Sequence, residues 1–120
     1  MQRKPTKNTR GPNADEDRYL SWVKDGCYRC AACMRGAELI GHHCEGATFK
    51  HNKILVGHWF ILGLCQECDD IVTHGSRKAL REAYGPQCDM WEIQYMAYKF
   101  DTDKDPCPDE VYDSIMDWGR

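Results

Sequence analysis

The sequence lacks the segments that would direct a chain into a membrane or out of the cell. No apolar run approaches the length of about 20 residues that a membrane-spanning helix needs. Residues 1–5 are MQRKP, and polar residues follow them, without the apolar centre of a secretory signal. We therefore expect a cytoplasmic protein, with no membrane partner, whose thiols stay reduced.

Internal repeats, low-complexity segments and a rich supply of aliphatic side chains are also missing. The length of 120 residues is that of one domain. Much of the 42% apolar content comes from 8 Cys, 6 Tyr, 5 Met and 4 Trp. A chain of this size buries only a modest core, and a structural metal would add to its stability.

The net charge of -3 is unevenly distributed. Residues 101–120 carry seven acidic and two basic side chains, whereas the first ten residues carry four basic side chains and no acid. A basic arm can lie along a phosphate backbone, but on charge alone a solvated terminus is the better interpretation. We expect a disordered basic arm over residues 1–16, a folded domain over 17–100, and an acidic extension with a short helix over 101–120.

Six of the eight cysteines and all five histidines fall between residues 27 and 74. Paired disulfides would suit a secreted chain, but Cys-x-x-Cys pairs in a reduced compartment are typical of zinc ligands. Four thiolates close a tetrahedral site and leave no open position, which makes the zinc structural. The predicted ligands are Cys27, Cys30, Cys65 and Cys68, and Cys33 could replace either of the first two.

The remaining cysteines, Cys44, Cys88 and Cys107, have no evident partners, and we expect buried thiols at these positions.

Hydrophobic periodicity predicts two strands among several helices. Residues 37–43 form the first predicted strand and residues 58–62 the second, with a polar loop over 44–53. Ser76 is a predicted helix cap, and Gly85-Pro86 a stop. The predicted helices cover residues 18–24, 65–74, 77–84, 87–100 and 109–118. In the fourth, Met90, Ile93, Tyr95, Met96 and Phe100 recur at helical spacing, which predicts a buried face.

Adjacent histidines on a strand point to opposite faces of it. One of His42 and His43 could therefore bind a divalent cation while the other takes a proton from water. His58 lies on the second predicted strand, and Asp69 and His74 lie on the helix after it. The alternatives are that one of the adjacent pair is a zinc ligand, or that the other histidines are simply exposed.

The order of these residues resembles the HNH, or ββα-metal, endonucleases, and among them the phage recombination-enhancement (RecA-dependent) nucleases. The resemblance extends from Tyr19 to Gln87. It rests on a short helix before the first Cys-x-x-Cys, on His43 with His58 fifteen residues later, and on Leu64 before Cys65-x-x-Cys68. Residues 80–85, LREAYG, resemble that family's next helix.

The resemblance implies an α+β fold, with a small zinc-stabilised, treble-clef-like ββα-metal core and flanking helices. It implies His43 as general base, with His42 or His58 helping to hold a catalytic Mg²⁺ or Mn²⁺ and the phosphate. Asp69 stands where the family has a metal-binding histidine, and a carboxylate suits a hard cation. His74 lies one residue from the family's second helix histidine and is a further candidate ligand.

Three functions are compatible with these residues. The first is a phage-encoded, metal-dependent DNA endonuclease acting in recombination or DNA processing inside the host cell, with DNA and a recombinase filament as candidate partners. The second is a non-catalytic zinc module that binds DNA or a protein. The third is a small regulatory protein whose acidic tail mimics DNA or binds a basic partner.

Overall fold

A computed structural model describes residues 12–26, 29–46 and 48–118 of the chain. In this described part, five α-helices and two small antiparallel sheets form a small α+β fold. The helices are α1 (Ala14–Ser21), α2 (Gln66–Asp70), α3 (Arg77–Tyr84), α4 (Gln87–Thr102) and α5 (Asp109–Trp118). The strands are β1 (Ile40–His43), β2 (Lys50–His51), β3 (Ile54–Leu55) and β4 (Ile61–Leu64). No helix among the described residues is long and apolar enough to cross a membrane.

Helix α1 begins earlier than the sequence suggested. Asn13 accepts a hydrogen bond from the Glu16 N–H, and the Glu16 carboxylate accepts one from the Asn13 N–H. This reciprocal capping box fixes the first turn. The prediction of disorder up to residue 16 is therefore wrong for residues 13–16, and residues 1–11 of the predicted arm lie outside the described residues. A π-helical turn, Trp22–Gly26, follows α1.

Strands β1 and β4 form the central hairpin, and their register pairs His43 with Ile61 and Gly41 with Gly63. The chain between them, predicted as a loop, contains a second hairpin of β2 and β3. Its two turn residues, Asn52 and Lys53, have φ of 52° and 68°. This left-handed pair makes the tight turn whose twist suits a two-residue hairpin.

Helix α2 begins directly after β4 and continues into a π-helical turn, Ile71–Gly75. The predicted cap of α3 is confirmed, because the Ser76 hydroxyl accepts the Ala79 N–H at 3.0 Å. The predicted stop is confirmed as well, since α3 ends at Gly85, where φ is +98°. That conformation is easily reached only by glycine.

Helix α4 crosses the hairpin and supplies the centre of the core. Trp91 and Tyr95 are fully buried, with stacked rings whose centroids lie 5.1 Å apart. The prediction of a single buried stripe is wrong for Ile93, Met96 and Phe100, which are 64%, 56% and 92% exposed. A lone helix packs only one face on a small core, and these three residues lie on the opposite face.

The C-terminal helix α5 belongs to the same core. It packs against α4, β2 and β3, and it buries Val111, Ile115 and Met116. Its predicted helical span is confirmed. The helix of the predicted acidic extension therefore has an apolar inner face that packs on the domain.

Candidate metal centre and histidine-bearing hairpin

Four thiols meet where the N-terminal loop reaches α2. Cys30 and Cys33 lie in a tight turn closed by two hydrogen bonds, from the Met34 N–H to the Cys30 carbonyl and from the Cys30 N–H to the Arg35 carbonyl. Met34 takes a left-handed φ of 66° to close this turn. Cys65 is the N-cap of α2 and Cys68 lies in its first turn.

The spacing of the four sulfurs suits a tetrahedral ion. All four Sγ atoms lie within 4.8 Å of one another, and those of Cys33 and Cys65 are 3.8 Å apart. Zinc with Zn–S bonds of about 2.3 Å places its sulfur ligands about 3.8 Å apart. Every described cysteine is a free thiol, so disulfides do not compete within this group. These residues could hold a metal such as zinc.

Arg35 adds a positive charge to the cluster. Its Nε donates to Cys33 Sγ at 3.4 Å, its Nη2 donates to Cys65 Sγ at 3.6 Å, and its guanidinium pairs with Glu67 at 3.2 Å. Burial raises the pKa of the Cys33 thiol, but hydrogen bonds with Arg35, Cys30 and Cys65 together outweigh it and lower the pKa to about 6. A thiol with this pKa is largely thiolate at neutral pH, which is the form that binds metal.

The two cysteines at the start of α2 differ in the direction of their pKa shifts. Burial raises the pKa of Cys65, but hydrogen bonds from Cys68 and Arg35 lower it overall. Burial and the neighbouring thiols raise the pKa of Cys68 well above its usual range. Four thiols this close cannot all ionise without a cation between them, because their negative charges repel.

The observed cluster contains Cys33, which the sequence offered as an alternative to Cys27 or Cys30. Cys30, Cys65 and Cys68 come together as predicted, and the fourth thiol is Cys33. Cys27 lies outside the described residues. Cys27 and Cys33 both stand three residues from Cys30, so spacing alone fits either pair, and the turn at Met34 is what brings Cys33 in.

His42 faces the helix that the second cysteine pair begins. Its Nδ1 lies 3.7 Å from the Asp69 carboxylate, and both side chains are less than one-fifth exposed. Burial lowers the pKa of His42, and the nearby carboxylates of Asp69 and Glu45 only partly oppose this. Its Nε2 is buried, with no hydrogen-bond partner among the described residues. This imidazole is therefore neutral at pH 7 and carries a nitrogen atom that could accept a ligand.

His43 turns away from His42 and meets His58 instead. The His43 Nε2 and the His58 Nδ1 are 3.1 Å apart, and the two rings are nearly perpendicular. Burial lowers the pKa of His43, and the neighbouring His58 and His42 lower it further. The alternation predicted for adjacent histidines on a strand is confirmed.

A buried carboxylate that was not predicted from the sequence holds the backbone at His58. Glu16 of α1 is fully buried, and its Oε2 accepts the His58 N–H at 2.9 Å. His58 lies in a 3₁₀ turn, Gly57–Trp59, just before β4, so the prediction that it lies on the second strand is wrong. The pattern of Asn13 followed three residues later by Glu16 is the signal that could have located this residue.

The other histidines lie apart from this pair. His74 is 76% exposed on its side chain, and its Nε2 lies 3.8 Å from Asp70, one turn back on α2. His51 lies 2.8 Å from Asp117 of α5. Within residues 12–26, 29–46 and 48–118, the four thiols are the one group of three or more such ligands close enough to share an ion. His42 and Asp69 thus form a pair that His74 does not join.

Hydrogen bonds from Ala31 and Gln94 attach strand β4 of the hairpin to the rest of the fold. The Ala31 N–H donates to the Gly63 carbonyl at 2.8 Å, which links the cysteine turn to β4. The buried Gln94 of α4 accepts the Gly63 N–H and donates to the Ile61 carbonyl, both at 2.8 Å. The position of the histidines therefore depends on the cysteine turn and on α4.

Comparison of the chain with known protein families, with curated proteins and with solved structures found no match.

Proposed function

We propose that Cys30, Cys33, Cys65 and Cys68 bind one structural Zn²⁺ and that the core is a treble-clef-like ββα-metal fold. The order of a cysteine turn, an antiparallel hairpin and a helix that starts at the second cysteine pair supports this proposal. The sulfur spacing fits zinc, and the guanidinium of Arg35 offsets part of the negative charge of four thiolates.

We further propose that the chain is a metal-dependent DNA endonuclease of HNH type that cleaves phosphodiester bonds by hydrolysis. The observation that carries this proposal is the divergence of two adjacent histidines, one toward a carboxylate and the other toward a histidine. Such a hairpin offers a cation-binding pair and a proton acceptor side by side. The resemblance to the phage recombination-enhancement nucleases adds a candidate setting, with DNA as substrate and a recombinase filament as a candidate partner.

His43 takes the proton of the attacking water. Its lowered pKa keeps it neutral near pH 7, so it can act as a base. If its Nε2–H donates to the His58 Nδ1, its own Nδ1 is free to accept that proton. His58, whose N–H is bound by Glu16, then orients the ring of His43.

His42 and Asp69 are the residues that would hold a catalytic cation. Their imidazole and carboxylate suit Mg²⁺ or Mn²⁺, with water and phosphate oxygens completing the coordination. When bound, such a cation stabilises the charge that develops on the leaving oxygen. The closed thiol cluster has no open position and takes no part in hydrolysis.

The test is cleavage of supercoiled plasmid and of single-stranded DNA by zinc-loaded protein, with and without added Mg²⁺ or Mn²⁺. We expect cleavage that requires the added cation, and a loss of about 10²–10⁴-fold in rate for His43→Ala. The matched control is His51→Ala, because the His51 imidazole pairs with Asp117 of α5 and lies apart from the His43–His58 pair. Equal rates for the two variants, or cleavage without added cation, would refute the assignment.

A second candidate is a non-catalytic zinc module that binds DNA through the same scaffold. Among the described residues, His42 has Asp69 as a fellow ligand for a catalytic cation, and His74 lies near Asp70 instead. This small number of protein ligands favours a module that does not cleave. DNA binding without cleavage, under all the cation conditions above and with a recombinase filament present, would establish this function instead.

A further inference from the structure

A cavity of about 440 Å³ opens between the starts of α3 and α4 and the end of α5. It is lined by Ser76, Lys78, Arg81, Pro86, Gln87 and Trp118. Its volume lies within the range of about 300–1,000 Å³ that is usual for small-molecule sites. The thiol cluster and the histidine pairs contribute no side chain to its wall.

Gln87 provides the observation that points to a ligand. The residue lines the cavity and is only 4% exposed. Neither the oxygen nor the nitrogen of its amide has a hydrogen-bond partner among the described residues. A buried polar group without a partner destabilises the fold, because its hydrogen bonds to water are lost and not replaced. A ligand with one donor and one acceptor would remove this cost.

The wall next to Gln87 is positively charged. Lys78 and Arg81 are both exposed and lie one turn apart on α3. Within the described part of the chain, neither forms an ion pair with a carboxylate. Ser76 caps α3 at the same place, so the positive end of the helix dipole adds to the field. The chain as a whole has a net charge of -3, so this cavity is a local excess of positive charge, which favours binding of an anion.

The opposite wall is aromatic. Trp118 is half-buried, and its ring meets Phe60 edge-on at 5.4 Å and Phe49 edge-on at 5.8 Å. These contacts hold the indole in place while part of it lines the cavity. A fixed indole is a platform on which a nucleobase can stack.

We propose that this cavity binds one nucleotide. Lys78 and Arg81 bind its phosphate, Trp118 stacks on its base, and the Gln87 amide bonds to the base edge. A glutamine amide pairs well with adenine, which presents a donor and an acceptor side by side, so adenine is the favoured base.

The cavity lies close to the histidine-bearing hairpin. Phe60, whose ring meets Trp118, accepts the Cys44 N–H at 3.0 Å, and Cys44 directly follows His43. A strand with one nucleotide in the cavity would therefore continue toward β1. That continuation rests on the proposed endonuclease function, whereas nucleotide binding itself does not.

Calorimetric titration of the zinc-loaded full chain with dAMP tests the proposal, with inorganic phosphate and deoxyadenosine as separate arms. We expect dAMP to bind at least tenfold more tightly than either, because inorganic phosphate lacks the base and deoxyadenosine lacks the phosphate. Equal affinity for phosphate and dAMP would mean a simple anion site and would overturn the proposal. Absence of dAMP binding would overturn it too.

Variants assign the two halves of the site. Lys78→Gln combined with Arg81→Gln should weaken dAMP at least tenfold, whereas Lys104→Gln, at an exposed lysine beyond α4, should not. Gln87→Met should weaken dAMP and leave phosphate unchanged. Melting temperatures within a few degrees of the wild type would show that each variant is folded, and an unchanged dAMP affinity in a folded cavity variant would overturn the proposal.

The two proposals fail separately. Plasmid cleavage by a chain that does not bind dAMP would overturn the nucleotide site alone. Binding of dAMP by a chain that does not cleave DNA would overturn the endonuclease function alone.

Discussion

Replacement of Gln94 by leucine should weaken the fold through the hairpin. Across the hairpin, the Cys44 N–H donates to the Phe60 carbonyl, so these two residues form a hydrogen-bonded pair. Hydrogen-bonded and non-hydrogen-bonded pairs alternate along antiparallel strands. The backbone N–H and C=O groups of Ile61 and Gly63 therefore point away from β1. The Gln94 amide supplies the partner for the Ile61 carbonyl and for the Gly63 N–H, and it also donates to the Tyr19 hydroxyl at 2.6 Å.

The size of the effect follows from what is left unpaired. Leucine fills a similar volume, so the apolar contacts change little. Two buried backbone groups lose their partner, and each costs about 1–3 kcal/mol, which gives about 2–6 kcal/mol in total. Domains of this size are stable by about 5–15 kcal/mol, so the loss is large but leaves a measurable folded state.

Urea unfolding at saturating zinc would measure the difference. The matched control is Gln66→Leu, at an exposed glutamine on α2 whose amide donates to Asp70. We expect the control to change the free energy of unfolding by less than about 0.5 kcal/mol. If Gln94→Leu also stayed within that limit, the role given to Gln94 in holding β4 would be refuted.

Three further predictions concern the metal centre, the base and the hairpin packing. Cys33→Ser should reduce bound zinc below one per chain, whereas Cys27→Ser should retain it; metal analysis showing the reverse would restore Cys27 as the ligand. Because the pKa of His43 lies below 6.5 and the base must be neutral, kcat/KM for cleavage should fall on acidification with a midpoint below pH 6.5, and a midpoint above it would contradict this role. Gly63→Ala should cost about 1–3 kcal/mol in unfolding free energy, because its Cβ would lie 2.9 Å from Val23 and 3.0 Å from Leu39. Gly75→Ala, where the nearest atom is 3.9 Å away, is the control and should cost much less.

Local patterns allowed much of the helical structure to be predicted. Ser76 and Gly85 mark the ends of α3 through cap and φ requirements that act within a few residues. The opening of α1 was missed because residues 1–16 were expected to be disordered, although Asn13 is its cap. The β2–β3 hairpin was missed because its turn, Asn52-Lys53, has no glycine to mark it.

The sites depend on contacts between distant parts of the chain, which spacing does not specify. Spacing placed two cysteine pairs together, but the backbone turn at Met34 decides which thiols meet. Glu16 reaches His58 across 42 residues, and the Gln87 cavity needs the ends of three helices. Such juxtapositions follow from tertiary packing and leave no periodic signal in the sequence.

Native mass spectrometry of the zinc content decides whether the thiol cluster is a metal centre, on which the hairpin and its histidines depend. We expect one zinc per wild-type chain and none in the Cys30→Ser, Cys33→Ser double variant. A folded wild-type chain with the mass of the metal-free protein, or a double variant that keeps its zinc, would contradict it.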